Sequence, residues 1–239
     1  MIPKIIHYCW FGGNPLPELA VKCINSWKQH MPDYEIKEWN ESNFDVNTIP
    51  YTKEAYIAKK YAFVSDYARY WILYHYGGVY FDTDVEMVRS IYDILEKGPF
   101  MGHEREGYTI ANPGLGMACE VENMFVGKLL DFYKDLHFLN QDGTLNMKSI
   151  DQYMTEILAG KAVATDKEIQ YVNSFYIYPG EYFGPISSIT KRLVITDNTR
   201  TIHRYAATWV KSSRIMRLKK IINPFIPSSF LLWWNKVKH

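Results

Sequence analysis

Cysteine is scarce: three in 239 residues, Cys9, Cys23 and Cys119. They are scattered, odd in number and without metal-type spacing, which argues against a disulfide framework and fits a reducing compartment. No apolar run reaches the length of a spanning helix. The start, MIPKIIHYCWFGG, reads as a first strand and not as a signal peptide. There is no P-loop, and the GLG at 114–116 is too short for a dinucleotide fingerprint. Internal repeats, low-complexity blocks and Gly/Ser linkers are also missing, so one domain with an appendage is the plain expectation. Acidic residues stop at Asp197, after which nine basic residues follow. The preceding part keeps 18 basic and 26 acidic residues, a balance of −8, although the whole chain is at +1. A basic tail on an acidic body suggests an anionic partner surface.

What is present is a core. Hydrophobic residues make up 47% and charged ones 22%, a balance that excludes disorder. The aromatic share of 16% suits ring-stacking sites as well as packing. KIIHYCWF at 4–11 predicts a strand, LPELAVKCINSWKQHMP a helix and YEIKEW a second strand. That βαβ order implies a parallel sheet. Residues 52–76 predict one long helix, stopped by Gly77 and Gly78. VYFDTDV then predicts a strand that points Tyr80, Asp82, Asp84 and Glu86 to one side. Short strands are predicted in GPFMGHE and GLGMA, strands in QYVNSFYIYP and RLVITDNTRTIHRY, and helices in VENMFVGKLLDFYKDLHFL and SIDQYMTEILAG.

Buried carboxylates are costly unless they are paired, hydrogen-bonded or bound to metal. Asp82 and Asp84 therefore point to a hard dication, magnesium or manganese, which takes oxygen ligands and substrate phosphates. Bound there, it would offset charge on a diphosphate leaving group. Asp66 and Arg69, three apart on the preceding helix, share its face. Trp10 lies at a strand end, where α/β sheets place ligands. Asp-x-Asp alone is a weak signal; the preceding helix and glycine pair give it context.

Together, IPKIIHYCWFGG, the SW at 26–27, FVSDYARYWILYHYGGVYFDTDV and IHRYAATW resemble the DXD-containing sugar transferases of glycosyltransferase family thirty-two. These include bacterial capsule enzymes and yeast mannosyltransferases, and are related in catalytic core to clostridial glucosylating toxins. The resemblance covers residues 2–90 well, 201–209 moderately and the middle poorly. It implies a GT-A-type, Rossmann-like α/β fold with a mainly parallel central sheet flanked by helices, over residues 1–210. It implies a nucleotide-diphosphate sugar donor (UDP-sugar favoured, GDP-sugar an option), a divalent metal, Mn(2+) or Mg(2+), and retention of configuration. Asp84 would contact the metal, and Asp82 the ribose and, through water, the metal. Asp66 and Arg69 would hold the donor sugar, Trp10 would stack on the base and Tyr80 would line the nucleotide pocket. His203 and Trp209 would close over the diphosphate and metal, with Thr208 where the family often has serine. Asn112 would touch sugar or acceptor. No residue is assigned as nucleophile, and Asp142 or Asp151 could serve the acceptor.

The expected role is transfer to a glycan or lipid-linked oligosaccharide in bacterial surface polysaccharide synthesis, in the cytoplasm or peripherally on the inner membrane face. The alternatives are a toxin-like effector that glycosylates a protein and a non-catalytic sugar-binding module. No nucleic-acid partner is expected. In residues 211–239, basic residues beside Trp, Phe and Leu have the composition of a segment lying in a membrane interface, so an anionic membrane surface is a further expected partner.

Overall fold

The computed structural model describes residues 1–106, 108–165 and 167–206. The predicted appendage at 211–239, together with Thr208 and Trp209, lies outside them.

The β-branched and aromatic run near the start forms β1 (Ile5–Cys9). It is followed by α1 (Glu18–His30) and β2 (Glu35–Trp39). β1 and β2 pair in parallel, as the βαβ order predicts.

The expected long helix is two: α2 (Pro50–Ile57) and α3 (Tyr61–Tyr76). Lys59 takes a left-handed conformation at φ 56°. Lys60 N–H then reaches Ala55 O and Lys59 N–H reaches Tyr56 O. This is a helix-ending motif built without the usual glycine. α3 is buried on most sides, from Phe63 to Leu73, so it runs inside the protein, as helices apolar all round do. It ends at Gly77, φ 61°. A Cβ on the next residue, Gly78 at φ 91°, would stand 2.6 Å from Ile5 O. Only glycine lets the chain turn there and run directly beside β1.

β3 (Gly78–Tyr80) is shorter than the predicted strand. Phe81 N–H still bonds His7 O and Asp82 N–H bonds Gly114 O. Beyond that point the chain turns, with Val85 N–H on Asp82 O at 3.0 Å. β4 (Val85–Met87) starts a separate two-stranded sheet. Strand alternation therefore does not extend through the aspartates; a turn brings them together.

The remainder comprises α4 (Tyr92–Leu95), β5 (Phe100–Gly102), β6 (Asn112–Cys119), α5 (Met124–Lys134), α6 (Ile150–Leu158), β7 (Gln170–Val172), β8 (Phe175–Tyr178), α7 (Gly180–Phe183) and β9 (Thr201–His203). The expected single strand at 170–179 is the β7–β8 hairpin. Asn173 and Ser174, at φ 50° and 68°, form its tight turn. Of the strand expected at 192–205, only β9 forms, and it pairs antiparallel with β4.

The main sheet has the order β2-β1-β3-β6-β5-β8-β7. Five of its strands run one way and only β6 and β7 oppose them, so the sheet is mainly parallel. Alternate residues feed two cores. Cys9, Tyr80 and Met117 pack with α3, α5 and α6. Ile6, Tyr8, Val79 and Phe81 pack with α1 and the β4 region. This is the expected α/β class, with helices on both faces.

Candidate active site

Four strands bring chemistry to one edge of the sheet. Trp10 follows β1, Asp82 follows β3, Asn112 opens the reversed β6, and Glu104 follows β5. Parallel strands end there, at the position where such sheets bind ligands.

Arg69 is the hub. It is 3% exposed. Its Nε–H bonds Ser65 O at 3.1 Å, and its Nη2 reaches Asp66 Oδ1 at 2.9 Å and Asp82 Oδ1 at 3.3 Å. The guanidinium lies 4.7 Å from the centre of the Tyr80 ring, and Tyr80 Oη–H bonds Asp82 Oδ1 at 3.1 Å. Arg69 Nη1 is buried without a partner among the described residues. A buried cationic donor left unmade is expensive, which marks this nitrogen as a candidate donor to a ligand. A Cβ on Gly114 would strike Asp82 Oδ2 and stand 3.1 Å from both Arg69 Nη1 and Asn112 Oδ1.

Burial raises the Asp66 carboxyl to about 7, against the opposing pull of Arg69. Burial likewise raises Asp82, again opposed by Arg69.

The second aspartate belongs to another neighbourhood. Asp84 Oδ1 is 3.0 Å from His203 Nε2, and Asp84 Oδ2 accepts Ala206 N–H at 2.8 Å. Arg204 N–H bonds Asp84 O at 2.9 Å, and the Arg204 side chain pairs with Glu86. Lys22 joins Glu86 from α1 at 2.9 Å. Burial would raise Asp84, but the charge and bond of His203 and the Ala206 N–H hold it below 3.8. Burial would lower His203, but the charge and bond of Asp84 outweigh it and raise it.

Asp82, Asp84 and His203 offer one ligand atom each, all within 4.8 Å of one another. Two carboxylates and an imidazole form a donor set suited to a first-row dication. His203 Nδ1 has no partner among the described residues.

The sequence-predicted residues thus gather in large part. Asp66, Arg69, Tyr80, Asp82 and Asn112 meet around one guanidinium; Asp84 and His203 pair beside them. Trp10 shares the edge, half-buried, with Nε1–H on Asn14 O at 2.6 Å. Asp142 is exposed and caps its own loop through Thr144. Asp151 sits in the first turn of α6, and its charge is felt at Asp66. Glu104, missed in the sequence, accepts Asn112 Nδ2–H at 2.8 Å; no spacing in the chain marks it. All three cysteines are buried and free, with burial raising Cys9 and Cys23 to about 12, so thiol chemistry has no place here.

Residues 17–101 match the family described as a glycosyltransferase sugar-binding region containing a DXD motif. That stretch holds Asp66, Arg69, Asp82 and Asp84. The chain is 37% identical over 98 residues to inositol phosphoceramide mannosyltransferase 3 of Schizosaccharomyces pombe, covering 39% of this chain and 27% of that protein. It is 31% identical over 111 residues to inositol phosphoceramide mannosyltransferase 1 of the same yeast, covering 42% and 33%. The chain thus spans a third or less of the length of these two relatives. Among solved structures, the PaToxG glycosyltransferase superposes with a TM-score of 0.51 at 21% identity, over 66% of this chain and 69% of that one. At that identity the likeness speaks for the fold, and it agrees with the GT-A-type expectation. Among the described residues no helix is long and apolar enough to cross a membrane.

Proposed function

We propose that this chain is a metal-dependent, retaining glycosyltransferase that moves a hexosyl group from a nucleotide-diphosphate sugar to a glycan or lipid-linked acceptor. The observation that carries this reading is the convergence of the Asp82–Asp84–His203 donor set with the unpartnered, buried Nη1 of Arg69. One group suits a dication and the other suits an oxygen of the ligand beside it.

In this reading Trp10 stacks on the base of a UDP- or GDP-sugar, and Tyr80 lines the nucleotide pocket. Asp82 would take the ribose and, through water, help hold Mn(2+) or Mg(2+), which Asp84 and His203 would contact. When bound, the dication supplies Lewis acidity that offsets charge on the departing diphosphate. Arg69 donates to sugar oxygens and Asp66 accepts from or donates to a sugar hydroxyl. Their mutual pairing fixes both in one orientation before the donor arrives, which is the preorganisation that transition-state stabilisation needs. No residue is assigned as a nucleophile, so the acceptor attacks from the face the diphosphate leaves.

The named relatives support a lipid-borne acceptor. A role in bacterial surface polysaccharide synthesis, at the cytoplasmic face of the membrane, follows from the family resemblance. The division into a catalytic unit at 1–210 and a basic appendage at 211–239, with an anionic membrane surface as its partner, rests on composition alone. Co-sedimentation with anionic liposomes at low salt tests it, with a chain ending at Lys211 as the control expected to stay in solution.

The decisive experiment for the activity is a hydrolysis screen over nucleotide sugars with manganese, which needs no acceptor because water can take the sugar. Hydrolysis of one donor, abolished by EDTA, is expected. Equal turnover in excess EDTA would reject the metal, and no turnover or binding of any donor would reject the transferase reading.

A further inference from the structure

The site has a third flank that this assignment does not use. Glu104 stands just past β5, whose carboxyl end faces the same way as that of β3. From Trp10 the edge runs through Asp82 and Asn112 to Glu104 in strand order β1-β3-β6-β5. Two strand spacings of about 4.8 Å separate Glu104 from Asp82. If the nucleotide lies toward β1 and the diphosphate at the aspartates, the acceptor must come in from the β5 side.

Glu104 is equipped to meet it. The residue is half-buried. Oε1 accepts the Asn112 amide at 2.8 Å, and Asn112 Oδ1 in turn accepts Gly114 N–H at 2.9 Å, beside Arg69 Nη1. This chain of bonds fixes the carboxylate relative to the donor side. Oε2 has no partner among the described residues. A carboxylate oxygen accepts hydrogen bonds, so Oε2 is open to an O–H or N–H donor.

We infer that Glu104 is the acceptor-positioning residue, holding the attacking hydroxyl through Oε2 while Oε1 stays on Asn112. The inference rests on the transferase reading above. In donor hydrolysis a water takes the place of the hydroxyl and is held by the same oxygen.

Glu104→Gln is the informative variant, because a glutamine carbonyl still accepts the Asn112 amide while the charge is lost. Glu104→Ala removes both. In both variants kcat for manganese-dependent donor hydrolysis is expected to fall at least about tenfold, a loss of the size that misplaced reactants produce. The KM for the donor is expected to stay within about twofold, since the ground-state contacts to the donor remain. Calorimetry with UDP and GDP in manganese is expected to give wild-type affinity for both variants. An unchanged kcat in Glu104→Gln overturns the inference. So does a loss of diphosphate affinity that accounts for the loss of rate, which would place Glu104 on the donor. If the wild-type chain binds neither diphosphate with manganese and hydrolyses no donor, the transferase reading falls and this inference with it.

Discussion

Asp82 and Asp84 stand two residues apart, yet their surroundings act on them in opposite senses. Asp82 shares Arg69 with Asp66 on the flank formed by the buried helix α3, and burial prevails and raises it. Asp84 is clasped by His203 and the Ala206 N–H at the far end of the described chain, and these partners prevail over burial and lower it. Solvation and partners, not residue type, decide which carboxylate carries a firm negative charge. One motif therefore holds two different carboxylates: a fixed anion at Asp84, and at Asp82 a carboxylate with a shared, contested partner.

The largest expected effect comes from breaking the first neighbourhood. Arg69→Ala strands Asp66 in the core and should cost about 3–5 kcal/mol of unfolding free energy, as loss of one partner of a buried pair does. Denaturant titration measures it, and a loss under 1 kcal/mol would show that Asp66 does not depend on Arg69. Breaking the second neighbourhood should spare the fold and weaken any metal-dependent binding. Asp84→Ala is expected to weaken manganese-dependent nucleotide binding by about 100-fold or more, beyond what the loss of groups behind metal ligands costs. Calorimetry with and without EDTA reads this, and binding that stays manganese-dependent at wild-type strength would place the metal elsewhere.

Trp10 lies outside both neighbourhoods and serves as a control on the comparison. Trp10→Ala should weaken nucleotide binding by about 1–3 kcal/mol through lost stacking, in manganese or without it. Unchanged binding would make Trp10 a packing residue.

A smaller effect sharpens the difference in charge. The Asp66 carboxyl, at about 7 in the folded chain against 3.8 ordinarily, holds its proton better folded than unfolded. Its contribution to stability is therefore present at low pH and lost as pH rises toward about 7. Asp66→Asn cannot lose a proton, so the thermal midpoint of the variant should gain on wild type as pH rises from about 5 to about 8. A constant difference would mean that Asp66 is ionised throughout. The least effect is expected at the rim. Lys22 is 62% exposed at its side chain where it meets Glu86. Lys22→Ala should cost about 0–1 kcal/mol and leave metal-dependent binding intact, because Arg204 still holds Glu86.

The first half of the site was legible because its signals are local. Asp66 and Arg69 are one helical turn apart, and the glycine pair announces the return to the sheet. The parallel pairing of β1 and β2 followed from strand-helix-strand order. The break at Lys59 was not legible, because a lysine there does the work of a glycine. The strand drawn through Asp82 and Asp84 failed because the sequence does not show that the ladder loses its neighbour after Asp82. Glu104 was invisible because its meaning comes from Asn112 across the sheet edge. His203 was found by resemblance; its pairing with Asp84 required the β4–β9 contact, which no local pattern encodes.

The same contact sets a timetable. Ala206 reaches Asp84 across 122 residues of chain. A ribosome adding about 5–20 residues per second needs many seconds between the two. The aspartate turn emerges before its clasp, which cannot close until Ala206 has followed. Contacts this distant along the chain close slowly, because loop entropy is spent before they form. A nascent chain halted just before β9 should therefore already protect α3 and the parallel strands from proteolysis while its Asp-Thr-Asp turn stays open. Binding competence would then arrive only once β9 is made, with most of the sheet already in place.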